Sequence, residues 1–204
     1  MFIFQTMKRI IYIGLVLNFC LSCKMLTGIR KSTQLSMNEI KTLATKNGIQ
    51  ENLYFVDSSF ANSFLQMVPK NADKHSIKNH LQPIQAMYFD KEGHLISYFI
   101  NCYATSTVFN LKWNDKKYFD TFPPLTQAPI DSLITLNQLT TLLKPVKTNV
   151  IIKPNEFTVI VFWNHMFYRY SKSLLKQIRR NVQNRTSVNL LFVNNDNYLA
   201  QEIK

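Results

Sequence analysis

Two almost continuously apolar runs, Phe157 to Trp163 and Val188 to Val193, bracket a segment from Ser171 to about Gln183. In that segment Leu174, Leu175, Ile178 and Val182 recur at helical spacing. A strand that is apolar at nearly every position has no face to give to water, so it must be covered on both sides. Two such strands joined through a helix form a right-handed parallel crossover. The expected class is therefore α/β.

The chain has 204 residues, enough for one ordinary domain, and 46% of them are hydrophobic, so a packed core is expected. Of four glycines, only Gly28, Gly48 and Gly93 lie beyond the first 22 residues. No phosphate loop, dinucleotide fingerprint or nucleophile elbow can be written from them. The formal charge is +12, and it stays at +10 once Lys8 and Arg9 are set aside.

Those two residues belong to a segment that reads as an address. Met7-Lys8-Arg9 is a short basic start, Ile10 to Leu21 is apolar, and Ser22-Cys23 follows. The apolar run is shorter than the ~20 residues that a spanning helix needs, and the order is that of a secretion signal. Leu21-Ser22-Cys23 resembles the lipobox of bacterial lipoproteins, with Cys20 where that family usually has Leu. The resemblance implies that Cys23 is acylated and becomes the N-terminus. A cleaved signal without lipid and an uncleaved anchor are the alternatives. Cys20-x-x-Cys23 has redox spacing but lies in the leader, so Cys102 is the cysteine left for chemistry.

From Lys24 to Gln34 no period is visible and the chain reads as a tether. Ser36-Met37-Asn38-Glu39 is a capping box that opens a helix stopped by Asn47-Gly48. Leu53 to Val56 reads as a strand, Phe60 to about Val68 as a helix, and Lys70 to His80 holds a further helical turn. After Pro83, Ile84 to Asp90 and His94 to Asn101 form a β-hairpin around Lys91-Glu92-Gly93. Tyr103 to Pro129 reads as a long loop with a short strand near Leu111 to Trp113. Asp131 to Leu143 is expected to be helical, and Val146 to Glu156 to be a linker.

The last third resembles thioredoxin. Phe162-Trp163 ends a strand, and Asn194 and Asp196 follow Trp163 by 31 and 33 residues, as the family's Asn-x-Asp motif does. By the family's spacing the two active-site cysteines fall on Phe167 and Tyr170, so the dithiol is absent and disulfide exchange has no nucleophile. The family's proline-preceded hairpin is found earlier, at Gln82-Pro83. The resemblance thus implies a thioredoxin-like mixed sheet with flanking helices in permuted strand order. It leaves residues 24–82 unexplained.

Each candidate residue has a structural and a functional reading. His165 is a solvated loop histidine or an acid-base or ligand-binding group. Trp163, Phe167, Tyr168 and Tyr170 pack the crossover helix or form an aromatic platform. Asn194 and Asp196 are turn and cap residues or line the strand edge where open sheets bind ligands. Cys102 is a buried, inert thiol or a reactive one near Pro83, His165 and Arg169. Arg169, Lys172, Lys176, Arg179 and Arg180 are a solvated helix face or meet anionic lipid head groups or cell-wall polymers. In a secreted chain they do not imply nucleic acid. His75, His80, His94 and His165 show no ligand spacing, and neither a metal nor another cofactor is expected.

The expected organisation is a signal peptide over 1–22, a lipidated tether over 23–35 and one α/β domain over 36–204. Within the domain, 36–144 carries the hairpin, 145–156 links, and 157–204 is the strand-helix-strand unit. The expected function is a lipid-anchored bacterial envelope protein whose degenerate, non-redox thioredoxin-like domain binds or braces a partner of unknown identity. The alternative is a thiol-dependent enzyme or redox protein built on Cys102 and His165.

Overall fold

The computed structural model describes residues 29–107, 110–147 and 155–202. The leader and Cys23 lie outside the described residues. No described helix is long and apolar enough to cross a membrane.

Among the described residues six helices flank a six-stranded mixed sheet. In chain order these are α1 (Met37–Lys46), β1 (Leu53–Phe55), α2 (Phe60–Met67), α3 (Lys74–His80), β2 (Gln85–Phe89) and β3 (Leu95–Ile100). There follow β4 (Thr105–Ser106), β5 (Leu111–Lys112), α4 (Leu136–Thr141), β6 (Lys144–Pro145), β7 (Phe157–Trp163), α5 (Tyr168–Val182), β8 (Val188–Asn194) and α6 (Asp196–Glu202). The main sheet runs β3-β2-β7-β8-β1-β6, and β4 and β5 form a separate ribbon.

The α/β class expected from the two apolar runs is what forms. β7 and β8 pair in parallel from Phe157↔Val188 to Trp163↔Asn194, with α5 as their crossover. The hairpin joins the same sheet, β2 lying antiparallel to β7 with Ala86 opposite Val161. β7 is thus interior, and its alternate residues feed two cores. Val159, Val161 and Trp163 face α1 and α5, whereas Ile160 and Phe162 face α2, α4 and α6.

Local chemistry sets the element ends. The Ser36 N–H donates to Glu39 Oε2 at 2.8 Å and the Glu39 N–H to Ser36 Oγ at 3.3 Å, closing the capping box that starts α1. Gly48 ends that helix at φ +70, a conformation that costs a side-chain-bearing residue strain. Gly93 takes φ +84 in the hairpin turn and lets Leu136 approach: a Cβ there would lie 3.3 Å from Leu136 Cβ.

Four expectations are corrected. Residues 131–134 are not helical, because α4 starts at a capping box of Thr135 with Gln138. α5 begins at Tyr168, three residues before Ser171: Asn164 Oδ1 takes the Phe167 N–H at 2.7 Å, and Ser171 Oγ accepts the Asn164 N–H at 3.1 Å. Lys144, the last residue before the expected linker, and Pro145, its first, are a strand paired with Phe55 and Tyr54. Much of the remaining linker, 148–154, lies outside the described residues. After Asn194 the chain turns directly into α6, where only a turn was expected.

Candidate functional site

Strand register gathers the expected site residues at one edge of the sheet. Gln85 pairs with both Ile100 and Phe162, and Asn194 with both Trp163 and Phe55. The carboxyl ends of β1, β3, β7 and β8 therefore meet the start of β2. In open sheets this is the edge that takes ligands.

Here that edge is closed by side-chain amides. The Pro83 carbonyl accepts from Asn164 Nδ2 and from Asn195 Nδ2, each at 2.9 Å, and Asn164 Nδ2 also donates to Asn195 Oδ1 at 3.1 Å. Asp196 accepts the His165 N–H at 2.8 Å, the Met166 N–H at 3.2 Å and Asn194 Nδ2 at 2.8 Å. Asn164, Asn194, Asn195 and Asp196 are all buried. Burial pushes the Asp196 carboxyl above its ordinary value, and the three donors oppose that shift.

The aromatic residues divide. Trp163 is fully buried against the sheet and offers no ring face to a ligand. Phe167 and Tyr170, which stand where the resemblance requires thiols, stack with ring centroids 6.3 Å apart. Tyr168 is half-buried, with the His165 ring at 6.4 Å and the Arg30 guanidinium 4.6 Å from its centroid. Arg30 Nη1 also lies 2.8 Å from His165 Nε2. Burial, and then the Arg30 charge, push the His165 pKa down, which favours a neutral ring that accepts this hydrogen bond.

Arg30 belongs to the segment read as a tether, and that segment lies against the site. The Arg30 N–H donates to the Met166 carbonyl at 2.8 Å, and the Leu35 N–H to Asn197 Oδ1 at 2.7 Å. Asn197 Nδ2 returns a bond to the Leu35 carbonyl at 3.0 Å. Residues 30–35 thus run from the loop that follows β7 to the start of α6.

Cys102 lies beside Pro83, as hairpin geometry requires, but it is exposed and not buried. Its thiol donates to Gln82 Oε1 at 3.0 Å. Among the described residues no histidine or cation is bonded to it. Behind it is a cluster that sequence reasoning missed. His80 is buried between the rings of Phe64 and Tyr98, and its Nε2 is 2.8 Å from Asp131 Oδ1. Tyr98 Oη lies 2.8 Å from both the Asn79 carbonyl and Gln85 Oε1, and its single hydrogen is shared between these two acceptors. Burial, and then the Asp131 charge, drive the Tyr98 hydroxyl pKa far up, so it stays a donor. Burial works against the Asp131 charge, but His80 together with hydrogen bonds from Leu133 and Ser76 outweighs it and holds the carboxyl below its ordinary value.

The described residues contain no group of three or more His, Cys, Asp or Glu able to hold a metal ion. No family model, curated protein or solved structure matches the chain.

Proposed function

We propose that the chain is a lipid-anchored protein of the bacterial cell envelope. In this reading its domain is a degenerate, non-redox thioredoxin-like module that binds or braces a partner. One observation carries the proposal: the loop after β7 and the first turn of α5, where dithiol chemistry would sit, hold the stacked Phe167–Tyr170 pair beside Arg30. The placement of the hairpin beside β7 is consistent with the permuted sheet. The anchoring part rests on the order of basic start, apolar run and Ser22-Cys23. Replacing Cys23 by Ala is expected to leave an unprocessed precursor that incorporates no labelled fatty acid. Label retained by that variant overturns the lipoprotein reading.

A second reading is favoured by the exposure of Cys102. A lone accessible thiol at the carboxyl edge of the sheet suits a monothiol nucleophile, with Gln82 as its hydrogen-bond partner.

A further inference from the structure

In its fifteen residues α5 carries Arg169, Lys172, Lys176, Arg179 and Arg180 and no acidic side chain. Lys172, Lys176 and Arg180 follow one another at four-residue steps, a spacing at which like charges repel and weaken a helix. Arg169 and Lys172 stand near its N-terminus, where the helix dipole also disfavours cations. An anionic partner outside the helix would relieve that repulsion.

Between α5 and the end of α1 is a groove of about 460 Å³ lined by Lys46, Asn47, Lys172, Lys176, Arg179 and Arg180, with no carboxylate in its lining. Arg179 is committed to the protein: it donates to the Asn47 carbonyl at 2.8 Å and lies 5.4 Å from the Phe192 ring centroid. Lys46, Lys172, Lys176 and Arg180 take part in no ion pair among the described residues. One wall of the groove is thus pinned and four cations are left to face outward.

The chain's N-terminal direction points the same way. Lys172 lies 5.9 Å from the centroid of the Tyr168 ring that also carries Arg30. Arg30 is seven residues past Cys23, a stretch that spans at most about 25 Å when extended. An anchor at Cys23 therefore keeps this end of α5 within about 25 Å of the bilayer.

We propose that the groove between α1 and α5 docks the domain on the anionic phospholipid head groups of the membrane that holds its N-terminus. The direction in which the groove faces rests on the anchored reading given above. A lysine near an anionic surface gains attraction that decays over roughly 8–10 Å.

The test uses the full-length chain in vesicles of phosphatidylcholine, with and without phosphatidylglycerol, and reads lysine acetylation peptide by peptide. With anionic lipid, Lys46, Lys172 and Lys176 are expected to label roughly fivefold more slowly. Lys70, Lys74 and Lys78, on and before α3, should be unchanged, and molar salt should abolish the protection. Equal labelling in both vesicle types overturns the proposal. So does equal protection by inorganic phosphate without anionic lipid, which would make the groove a site for free anions. The mass of the Cys23 peptide in the same sample reports acylation separately. A chain without lipid at Cys23 fails the anchored reading, while the labelling still decides the groove.

Discussion

Asp196 holds the loop after β7 through one carboxylate that receives two backbone N–H groups and the Asn194 amide. Its folded carboxyl is raised, so the folded state takes up a proton at higher pH than the unfolded state. The stability from that difference is fully present below the ordinary carboxylate value and is lost as pH rises through the raised one. Relative to Asp196→Asn, the wild type should therefore gain stability as pH falls from 7 toward the carboxylate range, read by urea unfolding at each pH. A wild type that loses stability relative to the variant on acidification contradicts the assignment. Cys102 gives a second expectation at this scale. An exposed thiol labels in the native chain, and Cys102→Ser should change stability by no more than about 0.5 kcal/mol. Labelling seen only after denaturation contradicts the exposure, and fast labelling below pH 7 favours the lone-thiol reading. His165, Asp196 and Pro83 were legible because a motif or a strand end marked them. Asn164, Arg30 and the His80–Asp131 pair were not, because each meets a partner 51 or more residues away and no local period records such a meeting.

At the level of elements, periodic segments and the short strands at Leu53 and Leu111 announced themselves, whereas the start of α4 and the strand β6 did not. Ser36 with Glu39 marked α1, and β7, α5 and β8 followed from their apolar pattern. Thr135 with Gln138 forms the same capping motif, but Leu133 and Ile134 extend the apolar spacing backward and mask it. Only Ile134 of those two is buried, and the turn ahead of α4 is held by Asp131 accepting the Leu133 N–H at 3.1 Å. β6, two residues long, has no pattern of its own and exists by pairing with β1. Its Lys144 forms an ion pair with Asp57, which, together with the Ser59 hydroxyl, lowers the Asp57 carboxyl to about 2. A depressed carboxyl contributes stability above the ordinary value of about 4 and loses it as pH falls toward 2. The pair is largely solvated, so its screened contribution is at most about 1 kcal/mol. Lys144→Met should be less stable than the wild type by that amount or less at pH 7 and should match it near pH 2. A difference that persists at pH 2 would assign the effect to packing instead.

The whole molecule is a sheet assembled from pieces far apart in the chain. Its centre, β7 and β8, comes from the last third, while the strands on either side of that pair, β2 and β1, come from the first half. The class could be read because β7, apolar at every position but Thr158, demands neighbours on both sides and cover on both faces. The docking of residues 30–35 across the site could not, since it depends on Asn197 and Met166, which reach the same edge only after folding. The resulting molecule carries a closed polar edge, an exposed thiol beside it and a cationic groove on the face of α5. An edge that lacks both thiols should do no dithiol chemistry, which turbidity-monitored reduction of insulin by the purified full-length chain with dithiothreitol decides. The expected rate is that of dithiothreitol alone, for wild type and for Cys102→Ser alike. Acceleration matching that of an equimolar Cys-x-x-Cys protein would contradict it.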